Sequence, residues 1–171
     1  MSVVGIDFGD DYLTIACARR AGIDVLQNEI GKRKTRAGFS LHHVHRHIGD
    51  EFLNQFQSNT ANCLIFLKRL LGKQYDDPDV EYERKYMYVK LDKDDEGRVI
   101  IVGQHLGKEV RLTPEQCVAV LLKQLAETYR INNDIGSKMK DCVISVPAYF
   151  SDSQRRSMIT AAKIANLNVL R

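Results

Sequence analysis

The stretch Asp141-Cys142-Val143-Ile144-Ser145-Val146-Pro147-Ala148-Tyr149-Phe150-Ser151-Asp152-Ser153-Gln154 decides the fold. Cys142 to Val146 is a short, nearly all-apolar run with β-branched residues, which predicts a strand buried on both faces. Pro147 ends it, since proline cannot donate to a sheet ladder. Ser151 and Gln154 have the spacing of a capping box, so a helix opens there and runs through Ala165. Asn166-Leu167-Asn168 then leads into a strand at Val169-Leu170.

Upstream, Thr113 is an N-cap, Pro114 takes the first helical position and Gln116 closes a second capping box; with Val118, Val120, Leu121, Leu122 and Leu125 these predict a helix over about residues 114–131. At the start, Val3 to Phe8 and Tyr12 to Ala18 flank Gly9-Asp10-Asp11 as a hairpin, and Ile23 to Leu26 follows the Ala21-Gly22 turn as a third strand. A meander followed by strand–helix–strand units means α/β.

The middle of the chain is less regular. Residues 28–40 are polar and basic and read as a solvated loop. From Asn59 to Leu71, apolar residues at Cys63, Phe66, Leu67, Leu70 and Leu71 have the spacing of an amphipathic helix closed by Gly72, which puts Lys68 near its C-terminal end. Gln74 to Asp79 reads as a turn, with strands at Tyr86–Leu91 and Val99–Val102 around a polar break.

Composition narrows the function classes. The 171 residues, 44% hydrophobic and 27% charged, suit one folded unit, and a net charge of +3 gives no reason to expect a nucleic-acid or membrane-surface partner. No run approaches the ~18 apolar residues of a membrane span, and the opening lacks the basic start and apolar run of a signal peptide, so a cytoplasmic protein is expected. Cys17, Cys63, Cys117 and Cys142 are far apart, with no C-x-x-C pair, and read as reduced, mostly buried thiols. His43, His45 and His47, beside His42, would share one strand face; without a paired Cys or carboxylate at matching spacing they read as a polar face, with a metal site as the minor alternative.

Gly9 sits at a tight turn where backbone N–H groups could approach a phosphate, and Asp7 just before it could hold a hydrated Mg²⁺. A lone D-x-G is too common to carry that reading, and by itself a structural turn is favoured. Neither G-x-x-x-x-G-K-[ST] nor G-x-G-x-x-G occurs, which argues against P-loop and Rossmann nucleotide sites.

Taken together, Val4-Gly5-Ile6-Asp7-Phe8-Gly9, Phe66-Leu67-Lys68-Arg69-Leu70-Leu71-Gly72, the Asp141 to Phe150 strand, and Asp152 to Arg156 with the terminal Leu167 to Arg171 resemble the heat shock protein 70 superfamily in order and spacing. Asn28-Glu29, Pro114-Glu115-Gln116 and Asp141-Cys142 lean toward its larger 110-kilodalton branch. The resemblance implies an actin-like (ribonuclease H-like) ATPase fold, a mixed sheet flanked by helices, with the chain forming its first lobe and a subdomain inserted at about 40–112. It implies ATP or ADP and Mg²⁺ as cofactors. Asp7 would hold the magnesium through water, Gly9 would belong to the first phosphate hairpin, Lys68 would be the catalytic lysine, and Pro147 and Arg155 would relay nucleotide state between domains.

In the parent protein this means a chaperone that couples ATP binding and hydrolysis to the handling of unfolded polypeptides, with clients and co-chaperones as partners. The alternative is a non-hydrolysing module that serves as nucleotide-exchange partner of a 70-kilodalton chaperone. The lobe alone is expected to be inactive. Two departures stand out. Asp10-Asp11 replace the family's usual Thr-Thr, setting two carboxylates beside the expected phosphates, where repulsion would weaken binding. Thr35-Arg36-Ala37 replaces Thr-Pro-Ser and loses a rigid proline.

Overall fold

The computed structural model describes residues 3–41, 46–133 and 138–171. Strands β1 (Val4–Phe8), β2 (Tyr12–Arg19) and β3 (Gly22–Val25) form the expected meander. Four short strands follow: β4 (Thr35–Arg36), β5 (Phe39–Leu41), β6 (Arg46–Ile48) and β7 (Cys63–Leu64). Helix α1 (Pro78–Arg84) precedes β8 (Lys90–Lys93), β9 (Val99–His105) and β10 (Lys108–Leu112). Helix α2 (Pro114–Ile131), β11 (Asp141–Ser145), α3 (Asp152–Ile164) and β12 (Asn168–Val169) complete the chain.

The main sheet has the order β12-β11-β1-β2-β3, with β4 also paired to β2. It is mixed: β11 lies parallel to β1 and to β12, whereas β2 is antiparallel to β1, β3 and β4. Register aligns the apolar parity of the three central strands, with Val4 opposite both Cys17 and Cys142, and Ile6 opposite both Ile15 and Ile144. All of these are buried and form one face of the core. Against that core α2 buries Cys117, Val118, Leu121, Leu122 and Leu125, and α3 buries Met158, Ala161 and Ala162. Both helices open with complete capping boxes, Thr113 with Gln116 and Ser151 with Gln154, as predicted. Two smaller antiparallel sheets, β10-β9-β8 and β6-β5-β7, come from the middle of the chain.

Several expectations are corrected. The strand at β11 is buried on one face only: Cys142 and Ile144 point inward, while Val143 and Ser145 are exposed. The amphipathic helix over 59–71 does not form. Cys63–Leu64 pairs with β5 as β7, and Phe66 takes a left-handed φ of 55°, which no continuing helix tolerates. What remains are 3-10 turns at Thr60–Asn62 and at Leu67–Leu70. Helix α1 replaces the tail of the predicted turn, since Pro78 at the first helical position starts a helix there. Residues 86–89 precede β8 rather than belonging to it, and β10 extends β9 into a hairpin. The 28–40 loop is not wholly solvated. Asn28 is buried, accepts from the Ile30 and Lys32 amides, and donates to the buried Thr35 hydroxyl at 3.3 Å. His42, His43 and His45 lie outside the described residues. His47 sits in β6 opposite Ser40, and its Nδ1 is 3.8 Å from Glu51. Among the described residues, no helix is long and apolar enough to cross a membrane.

All four cysteines are buried free thiols, as predicted. Burial pushes the Cys142 thiol up to about 11, and pushes Cys117 higher still. The folded state therefore keeps protons that the unfolded chain releases. This contribution is fully present below about 9 and is lost as pH rises through about 11. The urea midpoint is expected to fall between pH 9 and 11, with Cys117 and Cys142 unreactive toward a thiol reagent at pH 8 until the chain unfolds.

Candidate functional site

The β1–β2 turn is the first piece of the site. The Gly9 amide donates to the Tyr12 carbonyl at 3.1 Å, and a Cβ on Gly9 would lie 2.5 Å from that same oxygen. The hairpin itself thus requires glycine here. Two residues earlier, Asp7 projects to the exposed face of the sheet, where the parallel pairing of β1 with β11 sets it opposite Ser145. Ser145 Oγ donates to Asp7 Oδ1 at 2.8 Å and accepts from the Phe8 amide at 3.3 Å, which orients the carboxylate. Ser145 was missed from the sequence. The signal was available only in register, once Asp7 and Ser145 are known to be neighbours.

The 3-10 turn at Leu67–Leu70 supplies the second piece. Leu67 and Leu70 are buried and draw the turn into the core, so Lys68 between them is also buried. A buried ammonium needs partners. Lys68 Nζ donates to the Phe8 carbonyl at 3.0 Å across 60 residues of chain, and lies 3.5 Å from Asp10 Oδ1. Next to it, Arg69 Nε donates to Asp10 Oδ2 at 3.1 Å, and Nη1 donates to both Glu83 carboxylate oxygens at 3.1 Å. Its guanidinium stacks 4.6 Å from the Phe66 ring centre. Burial lowers the Arg69 pKa, but its bonds to Asp10 and Glu83 raise it more, so the group is held firmly charged.

The two carboxylates of the hairpin are therefore not unpaired. Asp10 is shared by Lys68 and Arg69, and Asp11 meets Arg36 at 3.3 Å, with Arg36 in turn over the Tyr12 ring at 4.4 Å. The expectation of simple repulsion is revised: nearby cations offset both charges. Arg36, which stands where the family's proline is lost, supplies one of them.

Gly72 joins the turn to α3. Its φ is +64°, and a Cβ would meet the Gln154 Cα and N and the Ser153 carbonyl carbon, each at 2.8 Å, while Ser153 Oγ donates to the Gly72 carbonyl at 3.0 Å. The turn is thereby packed on the helix N-terminus. On the same helix Arg155 donates to the Phe150 carbonyl at 3.1 Å and the Ala148 carbonyl at 3.2 Å, holding the loop that follows Pro147. Asp10, Lys68, Arg69, Glu83, Tyr149 and Gln154 line part of a cavity of about 380 Å³. The structure thus brings Asp7, Gly9, Asp10 and Lys68 around one hairpin, with Asp11 paired to Arg36. Pro147 and Arg155 sit together at the loop entering α3. Among the described residues no group of three or more His, Cys, Asp or Glu could hold a metal by itself.

A family model described as "Hsp70 protein" matches residues 3–171. The chain belongs to the Hsp70 family. It is 39% identical over its whole length to "Heat shock 70 kDa protein 4L" of Homo sapiens, of which it covers 20%, and 39% identical to the "97 kDa heat shock protein" of Strongylocentrotus purpuratus, of which it covers 19%. It is 37% identical to "Heat shock protein hsp88" of Neurospora crassa, covering 24% of that protein. The chain spans about a fifth of these Hsp70-superfamily relatives. The mixed sheet with helices against it agrees with the actin-like fold of this family's nucleotide-binding domain.

Gly72→Ala adds a Cβ against backbone and forces a left-handed alanine. Strain and overpacking together should cost roughly 2–4 kcal/mol, read as a lower urea midpoint with an unchanged slope.

Proposed function

We propose that this Hsp70-family chain is the first lobe of the ATP-binding domain of a chaperone. Its parent couples ATP binding and hydrolysis to the handling of unfolded polypeptides, in the cytoplasm and with co-chaperones. Residues 40–112 are its inserted subdomain. The observation that carries the reading is the buried Lys68 ammonium fixed on the Phe8 carbonyl, at the root of the Gly9 hairpin.

The residues fit a magnesium nucleotide in their chemistry. Asp7, exposed and oriented by Ser145, is the hard oxygen ligand that would hold a hydrated Mg²⁺. Gly9 keeps the turn tight, because a Cβ there would meet the Tyr12 carbonyl, and a turn this tight lets neighbouring backbone approach an anion. When bound, the magnesium ion neutralises phosphate charge and helps align the transferring group. Lys68 holds a positive charge at a fixed point, so it needs no reorganisation as negative charge develops during transfer, and it can orient an attacking water. Arg155 ties the loop after Pro147 to α3, whose first residues also pack on Gly72. A shift at the Lys68 turn would thereby reach that loop, which is the physical basis for its proposed role in interdomain coupling.

The Asp10–Lys68 pair favours a second reading, in which the parent binds nucleotide without turnover and acts as a nucleotide-exchange partner of a 70-kilodalton heat shock protein. Phosphate release by the full-length parent separates the two. In the first reading Lys68→Ala lowers kcat by about 100-fold, in the range of lost transition-state electrostatics, and leaves ATP affinity within about threefold. ATP binding with no turnover in the unmodified parent supports the second. Mutant turnover within about twofold of the unmodified protein removes Lys68 from the mechanism. The 171-residue chain alone is expected to release no phosphate, because catalysis of this kind rests on positioning from both lobes.

A further inference from the structure

Asp10 occupies an unusual place in the cluster. Its Oδ1 is buried and makes no hydrogen bond, yet it lies 3.5 Å from the Lys68 ammonium. Its Oδ2 accepts from Arg69, which Glu83 clamps from the other side through both carboxylate oxygens. Lys68 and Arg69 are thus drawn to one carboxylate carried on the hairpin, facing a cavity of about 380 Å³ that opens beside them. That volume falls within the ~300–1,000 Å³ typical of small-molecule sites. A carboxylate and a terminal phosphate oxygen present the same chemistry to these two cations: a compact anionic acceptor at salt-bridge distance.

We propose that Asp10 is an internal ligand of the anion site formed by Lys68 and Arg69, so that a polyphosphate gains access to Lys68 only by displacing it. This rests on the reading of Lys68 as the phosphate-facing cation. The consequence is regulatory. An anion binds only the fraction of molecules in which Asp10 is away, and its apparent affinity is reduced by that fraction. Glu83 sets the balance, because it holds Arg69 in the position from which Arg69 retains Asp10. The Asp11 carboxylate is paired instead with Arg36, at 3.3 Å, whereas Lys68 is paired with Asp10.

The test uses inorganic tripolyphosphate as the probe, titrated calorimetrically into the 171-residue chain with and without Mg²⁺, and the ¹⁵Nζ resonance of Lys68 by NMR. If Asp10 is in place about nine-tenths of the time, Asp10→Asn should tighten tripolyphosphate about tenfold. Adding Lys68→Met to that variant should remove the gain, and Asp10→Asn alone should shift the Lys68 resonance in the absence of any anion. A gain below about threefold, no binding by Asp10→Asn, an equal gain from Asp11→Asn, or weaker binding of Asp10→Asn with Mg²⁺ present each overturns the proposal. The last of these would make Asp10 a metal ligand. None of these readouts needs ATP turnover, so failure of the ATPase reading in the parent leaves them interpretable. Conversely, turnover lost in Lys68→Ala with no effect of Asp10→Asn overturns the internal ligand alone.

Discussion

A single buried ammonium constrains the site. Lysine is among the residues least often buried, because its charge loses hydration without an automatic replacement. Lys68 is carried inward by Leu67 and Leu70, which need the core, and the only way to keep its charge there is to give it acceptors. The Phe8 carbonyl provides one and Asp10 provides the charge. Both belong to the hairpin that begins at β1, so satisfying Lys68 also fixes the turn against the ends of the central strands. Gly72 completes the arrangement by letting the turn approach the backbone of α3 more closely than any side chain permits. The hairpin, the turn and the helix N-terminus are therefore mutually positioned by contacts that tolerate little substitution.

The parts of the fold that were legible in the sequence are those with local signals. Helices α2 and α3 are announced by capping boxes whose two halves are three residues apart, and the β1–β2 hairpin by a glycine and two acidic residues between β-favouring runs. The region from Asn59 to Leu71 was not legible, because its apolar spacing fits a helix while its structure is decided by partners far away. Cys63 and Leu64 are claimed by β5, and Phe66 by a left-handed turn, leaving Leu67 and Leu70 buried for reasons unrelated to helical period. The same limit explains β11. Val143 and Ser145 are β-branched or small and look like interior residues, yet alternation along the strand puts them on the exposed side, where Ser145 serves Asp7.

Site residues follow this division. Asp7, Gly9 and Lys68 were visible through motifs, and the fold gathers them around one turn. Ser145, Arg69 and Glu83 were not, since each acts through a neighbour that only tertiary structure supplies. Charge sign was the least legible feature. Asp10-Asp11 as a dipeptide suggests repulsion of phosphate, but the electrostatic effect of a carboxylate depends on its nearest counter-charge, and Lys68, Arg69 and Arg36 are all within ion-pair distance.

These pairings change what the site can use for attraction. Lys68, Arg69 and Arg36 balance Asp10, Asp11 and Glu83, so these six paired side chains are electrically neutral in sum, with Asp7 outside the pairing, whereas the family's usual pair of threonines would leave them positive by two. Under the proposed nucleotide reading, a polyanion approaching this neutral cluster would gain little from long-range field and would depend on short-range groups, a divalent ion at Asp7 or the lysine once Asp10 has moved. Salt should then matter less for encounter than in a site of net positive charge, because screening acts on fields between separated charges and much less on contacts within hydrogen-bond distance. In a site that takes a polyphosphate as proposed, the exchange of two hydroxyls for two carboxylates would move selectivity from charge toward geometry and metal.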